Sequence, residues 1–176
     1  PEHVTSSRLL LRRFFLRDGG ATAVEFGLLA PIFFALLGAI FETALYFFAG
    51  QILDSAVHDT GRFIRTGQAQ EMSMDANSFR GEICDRLLGL FNCAELKITV
   101  RTIATFGSLV PTDPIDEDGD WEITEQYQIG LGNTIVFVET FYKWPSFIRV
   151  PGLMNGLTAD GKRLLAAARV FRNEPF

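Results

Sequence analysis

The chain has 176 residues, a net charge of −5 and an apolar fraction of 48%, which is enough for one domain with a core. The acidic balance argues against a nucleic-acid-binding protein, since such proteins usually carry a basic excess, and the composition excludes a disordered chain. Phenylalanine is concentrated at one end, because eight of the 17 phenylalanines lie between Phe14 and Phe48. This concentration argues against a simple soluble domain.

Residues 1–20 form a basic leader. Four arginines against two acidic residues give it a charge of +2, whereas residues 51–176 hold 12 basic and 17 acidic residues, a charge of −5. By the positive-inside rule this asymmetry places the N-terminus in the cytoplasm and the acidic bulk outside. We therefore expect a leader over residues 1–20, a transmembrane helix over residues 21–45 and an extracytoplasmic head over residues 46–176.

The apolar stretch from Phe26 to Phe41 holds 16 residues without a charge. Extended to Val24 and Thr43 it reaches 20 residues, interrupted by Glu25 and Glu42, which is about the length that crosses a bilayer. A secretory signal peptide would be followed by small residues, whereas bulky rings follow here at residues 46–48. The stretch predicts an uncleaved signal anchor in a lipid bilayer. A buried core helix is the alternative, which the basic flank and the lack of a polar face disfavour.

The helical pattern continues beyond the membrane segment. Residues that fit one face of a helix recur at spacings of three and four: Tyr46, Ala49, Leu53, Val57, Thr60 and Ile64. Gly67 follows where a C-cap glycine is expected, so one helix is predicted from about Ala21 to Thr66, roughly 70 Å long. Pro31 predicts a kink or a locally unpaired carbonyl within it. Glu42 stands near the outer lipid boundary, where we expect it to reach water, with a helix–helix contact as the alternative.

The head begins with helical patterning and then changes period. A second helix is predicted from about Asp75 to Phe91, with one apolar side for the core: Phe79, Ile83, Leu87 and Leu90. Alternation of apolar and polar residues predicts strands over residues 96–100 and 123–131. Residues 135–144 are apolar on both faces, which predicts a central strand.

The remaining segments complete an α+β fold. Residues 107–120 predict a loop, Gly132-Asn133 a turn, and residues 145–161 an irregular connection. Residues 162–172 fit a strand, although their three consecutive alanines are equally compatible with a helix. Together the predicted elements give a pilin-like α+β fold with a long N-terminal helix, a short second helix and a small antiparallel sheet of three to four strands.

Two cysteines, Cys84 and Cys93, stand nine residues apart in the head. In an extracytoplasmic compartment a disulfide is the default, and closing a loop of this size is worth about 2–3 kcal/mol. Two unpaired buried thiols are the alternative. No histidine lies nearby, so the pair makes a poor zinc site.

The sequence holds no pattern that indicates catalysis, a cofactor or a metal. Three aspartates share the spacing of the first calcium-loop ligands: Asp116, Asp118 and Asp120. Trp121 and Tyr127 then stand where such a loop needs Gly and Glu, which favours a solvated acidic loop. No serine lies in a nucleophile motif, and residues 130–132 lack the third glycine of a dinucleotide-binding turn. We expect no enzymatic activity.

The residues at the membrane entry combine a glycine pair with a lone acidic residue. Gly19-Gly20 closes the basic leader, and Glu25 stands five residues after Gly20 in an apolar helix, where an acid at mid-membrane costs about 2.5–3.5 kcal/mol. A cut after Gly20 would create an ammonium group at Ala21 that neutralises Glu25 within one chain or between neighbours. Glycines also suit a protease that needs extended, unhindered backbone. An interfacial carboxylate at the cytoplasmic edge is the alternative for Glu25.

This arrangement resembles the processing site of type IV prepilins, with a glycine before the cut and a glutamate at the fifth mature position. Residues 17–26, followed by Leu29-Ala30-Pro31, are similar to the opening of TadE-like proteins, the minor pilins or pseudopilins of the tight-adherence (Flp-type) pilus system. Also similar are residues 62–68 at the end of the long helix and the closing residues 172–176. The resemblance is strong over residues 17–68 and at the last five residues.

The resemblance implies that a prepilin peptidase cuts between Gly20 and Ala21. A cut after Gly19 is the alternative, and it would make Glu25 the sixth residue of the mature protein. The mature protein then helps to assemble or initiate an adhesion pilus, and its helix, with Glu25 and Phe26, packs among other pilins and assembly-platform proteins. Major pilins of this system are very short, whereas this chain keeps 126 residues beyond residue 50. That bulk favours a priming, tip or assembly role over that of the bulk filament subunit.

The implied location is the bacterial inner membrane, with a single span, a cytoplasmic N-terminus and a periplasmic head, or the pilus itself. One alternative function is a membrane-anchored periplasmic binding or sensor domain, which needs no leader cleavage. Another is an enzyme with an α+β head, which needs a polar cluster in a pocket, and the sequence offers none.

Overall fold

A computed structural model describes residues 20–146, 158 and 160–176. The chain divides into two compact units, residues 1–43 and residues 44–176. Most of the predicted leader and most of the predicted connection between residues 145 and 161 lie outside the described residues.

Helix α1 runs from Ala21 to Arg65 and is continuous through Pro31, so its predicted bounds are confirmed to within one residue. It is long and apolar enough to cross a membrane, and its most apolar window has no buried residue. Glu42, near the end of the first unit, is only 5% exposed and takes part in a polar interaction. The expectation that its carboxylate reaches water is therefore wrong.

In the second unit, α1 becomes one-sided. One face is buried, and it holds Ala56 together with five of the residues that the spacing predicted: Ala49, Leu53, Val57, Thr60 and Ile64. Tyr46, also predicted for this face, is partly buried against the core. The helix ends just before Gly67, whose φ of 82° is left-handed, which is a conformation that glycine adopts without the steric cost of a Cβ. The C-cap role of Gly67 is confirmed.

Two short helices follow, α2 over Gln68–Glu71 and α3 over Ala76–Asp85. The N-cap of α3 is Asp75, whose carboxylate accepts the Ser78 N–H at 2.7 Å, and this hydrogen bond lowers the pKa of Asp75. Phe79, Ile83 and Leu87 are buried as predicted.

The prediction that the second helix extends to Phe91 is wrong. The helix ends at Asp85, because Leu88 and Gly89 adopt left-handed φ values of 53° and 70° that no right-handed helix accommodates. Leu90 consequently turns away from the core and is 46% exposed. A short 3₁₀ turn, Cys93–Glu95, then leads into the sheet.

Cys84 and Cys93 are joined by a disulfide with their Cα atoms 6.0 Å apart. The bond ties the end of α3 to the 3₁₀ turn, and it closes the loop that contains both left-handed residues.

The sheet has three antiparallel strands in the order β1-β2-β3: Lys97–Ile103, Ile135–Trp144 and Arg163–Arg172. The central position predicted for residues 135–144 is confirmed, and residues 163–172 form a strand rather than the alternative helix. Val136, Val138 and Tyr142 on one face of β2 join the same core as the buried face of α1.

The opposite face of β2 carries two buried charges that hold the long loop between residues 104 and 122. Glu139, 2% exposed, accepts hydrogen bonds from the N–H of Thr112 at 2.8 Å and from its hydroxyl at 2.6 Å, and it pairs with the guanidinium of Arg101 at 3.3 Å. Lys143 is also buried and donates to the Gly119 carbonyl at 2.8 Å. Each charge is therefore partnered, as buried charges must be.

The predicted strand over residues 123–131 is wrong. This segment makes a single parallel bridge, between Val100 and Tyr127, with two backbone hydrogen bonds of 2.8 Å. Pairing does not extend because the next N–H of β1, that of Ile98, binds the Glu125 carboxylate rather than a backbone carbonyl. Gly130, with φ of 66°, turns the chain on the other side.

The C-terminal tail after β3 packs against the end of α1. The N–H of Glu174 donates to the Arg65 carbonyl at 2.8 Å, and a Cβ placed on Gly67 would lie 2.7 Å from the ring of Phe176. Asn173, only 2% exposed, donates from its side-chain amide to the carbonyls of Ile129 and Leu131 at 2.9 and 3.0 Å. The two separate segments singled out by resemblance, at residues 62–68 and 172–176, are thus in direct contact.

We expect Gly67→Ala to lower the free energy of unfolding by about 2 kcal/mol, because alanine disfavours the left-handed conformation and its Cβ displaces the Phe176 ring. Gly81→Ala is the matched control. Gly81 lies within α3 and a Cβ there meets nothing within 4 Å, so this variant should gain up to about 1 kcal/mol. Urea titration of the full chain in detergent, followed by tryptophan fluorescence, measures both. Equal stabilities would contradict the contact.

We also expect the oxidised, denatured protein to take up no alkylating agent, and to take up two equivalents after reduction, because both sulfurs are bonded. Intact-mass analysis measures the adducts. Two adducts without reduction would show free thiols, and Cys84→Ala/Cys93→Ala should then leave the stability unchanged rather than lower it by about 2–3 kcal/mol.

Candidate functional site

The first candidate site residues, Gly20 and Ala21, lie at the start of α1. Gly20 is the residue immediately before the helix, and Ala21 is its first residue. A Cβ placed on Gly20 would meet no atom within 4 Å. Among the described residues, the fold therefore sets no steric requirement for glycine at this position.

Glu25 and Phe26 follow within the second turn of α1, and both side chains are exposed, Phe26 by 68%. Residues four apart on a helix are neighbours on one face. Glu25 is therefore positioned to face a charge at Ala21. No acidic residue lies in the first turn of α1, so Glu25 is the carboxylate nearest to the helix start within α1.

Around these residues, the first unit presents a large apolar surface along α1, with Glu42 as its buried polar residue. Its large side chains are 55–70% exposed: Val24, Phe26, Leu28, Leu29, Ile32, Phe33, Phe34, Leu36, Ile40 and Phe41. Exposing such a surface to water is unfavourable in proportion to its area. The segment thus requires lipid or other helices around it.

The second unit holds Cys84 and Cys93, whose bond shapes a loop, and a cleft beside α1. The cleft has a volume of about 360 Å³ and is lined by Asp59, Arg62, Phe63, Gln68 and Arg86. The Arg86 guanidinium lies 5.5 Å from the centre of the Phe63 ring. No group of three or more His, Cys, Asp or Glu in the described part of the chain is placed to hold a metal ion.

Two features of the second unit were not predicted from the sequence: the contact between the C-terminal tail and the end of α1, and the exposed, left-handed Leu88. The contact between residues 62–68 and the C-terminal tail depends on the buried amide of Asn173, and no periodicity reveals a hydrogen bond made across more than 40 residues. The exposed Leu88 was assigned to a helix because left-handed leucine is rare. Gly89, next to it, was the available signal for a helix end.

Residues 20–62 match the family of TadE-like proteins. Neither a curated protein nor a solved structure matches the chain. The matched segment begins at Gly20 and includes Glu25 and Phe26. Together with the long apolar helix, the match indicates a single-pass, membrane-anchored protein, and it points to a structural rather than an enzymatic role in association with pilus components. Over residues 20–62 the chain is thus similar to TadE-like proteins, as the residues at its membrane entry predicted.

Proposed function

We propose that this chain is a minor pilin or pseudopilin that helps to assemble or initiate an adhesion pilus after a prepilin peptidase removes its leader. One observation carries the proposal. An apolar helix whose large side chains are 55–70% exposed between Val24 and Phe41 begins at the residue after Gly20, and it holds a carboxylate at its fifth position, within the segment that matches the TadE-like family.

The proposed arrangement has three parts. Residues 1–20 are a cytoplasmic leader, residues 21–45 cross the inner membrane, and residues 46–176 form a periplasmic head. The charges support this orientation, because the leader is basic and the head is acidic.

In this proposal the peptidase acts on the bond between Gly20 and Ala21. The absence of any neighbour around Gly20 supports this reading, since the glycine has no packing role in the described fold. A substrate residue without a Cβ lets the peptidase approach the backbone closely.

The new ammonium group at Ala21 then pairs with Glu25. Within one chain the two groups lie one helical turn apart, and between chains the same pairing sets the axial offset of neighbouring helices. A carboxylate in lipid costs about 2.5–3.5 kcal/mol at mid-membrane, and the ammonium offsets that cost. Phe26 and the surrounding apolar side chains supply the packing surface for other pilins.

The size of the head favours an assembly role. The second unit has its own core and spans residues 44–176, which is too bulky to repeat along a thin filament. The proposed partners are therefore the prepilin peptidase, other pilins and the assembly platform. A membrane-anchored sensor is the alternative, and it would retain its leader.

We expect Gly20→Asp to block leader removal, so that membrane-extracted protein from peptidase-positive cells keeps its leader by intact mass and N-terminal sequencing. Gly27→Ala is the matched control, since Gly27 also has no neighbour within 4 Å, and it should be processed normally. A wild-type mature N-terminus in Gly20→Asp would refute the cleavage site. An intact leader in the wild-type protein would favour the sensor.

We expect Glu25→Ala and the isosteric Glu25→Gln to be processed normally but to reduce surface pili at least tenfold, because neither can pair with the ammonium at Ala21; tenfold corresponds to about 1.4 kcal/mol. Glu71→Ala removes an exposed carboxylate from α2 in the head and should leave piliation unchanged. Pili are counted by electron microscopy. Normal pili in Glu25→Gln would show that the charge is incidental.

A further inference from the structure

The cleft beside α1 contains an arginine without an ionic partner. Arg62 lines this cleft and also a second one of about 130 Å³. Among the described residues its guanidinium makes neither a hydrogen bond nor an ion pair. Other arginines of the head do pair with a carboxylate: Arg65, Arg80, Arg86, Arg101 and Arg169. Arg62 is therefore a charge that the fold of the head leaves available.

The second arginine of the cleft is held in position. The Arg86 guanidinium donates from Nη1 to the Glu82 carboxylate at 2.7 Å and lies 5.5 Å from the centre of the Phe63 ring. A guanidinium has five N–H donors, and in the described part of the chain those on Nη2 and Nε of Arg86 bind no acceptor. Two arginines with unused donors thus line one open cleft, an arrangement that suits carboxylate groups.

The complementary feature is a segment of the loop between β1 and β2, which we name the acidic turn (residues 113–122). It contains six acidic residues and no basic one, and all six are exposed: Asp113, Asp116, Glu117, Asp118, Asp120 and Glu122. None of them forms an ion pair with another described residue. A charge of this size without neutralisation favours contact with a cationic surface.

The tip of the acidic turn has a fixed backbone. The N–H groups of Asp116 and Gly119 donate to the carbonyls of Asp120 and Asp116, both at 3.0 Å. The Asp116 carboxylate accepts the N–H of Asp120 at 2.8 Å, and buried Lys143 donates to the Gly119 carbonyl at 2.8 Å. Residues 117–118 therefore present their carboxylates on an ordered turn, so docking them elsewhere costs little conformational entropy.

The acidic turn and the cleft lie on opposite faces of the sheet. Val136, Val138 and Tyr142 on one face of β2 pack in the core with α1 and α3, beside which the cleft lies. Glu139 and Lys143 on the other face hold the loop that carries the acidic turn. The sheet thus separates the two surfaces within one head, so a contact between them joins two different copies.

We propose that the cleft around Arg62 binds the acidic turn of a second copy of this chain. The carboxylates of Glu117 and Asp118 would accept hydrogen bonds from Arg62 and Arg86. The residues that line the cleft carry a net charge of +1, because Asp59 offsets one arginine, against −6 on the acidic turn. Since the two surfaces differ, the contact is heterologous and aligns neighbouring heads head to tail. The inference rests on the fold of the head alone, and not on leader cleavage.

The test uses full chains in phosphatidylcholine liposomes, with unlabelled and isotope-labelled copies reconstituted together. A photo-crosslinking residue, benzoylphenylalanine, replaces Gln68 in the wall of the cleft. After illumination and proteolysis, mass spectrometry should identify crosslinks from position 68 to peptides that contain residues 113–122. A labelled peptide joined to an unlabelled one shows that the contact is between copies.

Charge reversal separates a specific contact from crowding in the membrane. Arg62→Glu should reduce the mixed crosslinks several-fold, because it sets like charges against each other. Glu117→Lys/Asp118→Lys should do the same, and a chain with all three substitutions should recover the yield. Arg172→Glu is the matched control and should leave the yield unchanged, because Arg172 is also exposed but lines neither cleft.

The proposal would be overturned by equal yields in Arg62→Glu and the wild type, or by the absence of mixed crosslinks. Crosslinks from position 68 to a part of the chain other than residues 113–122 would also overturn it, since something else would then occupy the cleft. Thermal unfolding checks that each variant is folded. None of these results bears on the mature N-terminus or on pilus counts, so the proposed function is tested separately.

Discussion

One helix must satisfy two different environments, and the rest of the structure depends on this constraint. The first half of α1 is apolar and its large side chains are mostly exposed, which favours an environment that excludes water. Its second half buries a single face, from Ala49 to Ile64, in the core of the head. The change occurs within an unbroken helix from Ala21 to Arg65. Because no linker interrupts it, the same element serves as the anchor and as a core element of the head.

The far end of α1 is held by the C-terminal tail rather than by its own packing alone. The Arg65 carbonyl, one of the last four of the helix and thus without an intrahelical partner, accepts the N–H of Glu174. Asn173 fixes the tail by donating to the 129–131 segment, and Phe176 covers Gly67. This arrangement explains why Gly67 and Asn173 are suited to their positions: Gly67 has no Cβ to obstruct the ring, and the amide of Asn173 ties the tail to the carbonyls of two residues in the 129–131 segment.

Periodicity was sufficient to predict α1, β2 and the α+β class, because those elements bury regular faces. It was insufficient where a single contact overrides the pattern. Residues 123–131 alternate as a strand does, yet the Glu125 carboxylate occupies the position where a backbone partner of Ile98 would stand. The helix predicted to reach Phe91 ends at Asp85, because Leu88 is left-handed and the disulfide draws Cys93 back towards Cys84. The motif around Gly20 and Glu25 could be recognised from the sequence because its residues are adjacent in the chain. The contact of the C-terminal tail could not, because it joins segments more than 100 residues apart.

The position of Glu25 links leader removal to the electrostatics of the apolar segment. Between residues 20 and 41 it is the sole charged residue in the sequence, so the uncut segment carries a charge of −1. On the proposed function, cleavage converts a neutral peptide nitrogen at Ala21 into an ammonium group and brings that charge to zero. A neutral segment loses the penalty for burying an isolated carboxylate among apolar helices. Packing of the uncut chain into a bundle of helices would therefore carry the free-energy cost of an isolated carboxylate, whereas packing of the cut chain would not. Leader removal would then act as the step that commits the chain to assembly, through charge alone and without a change in the fold of the head.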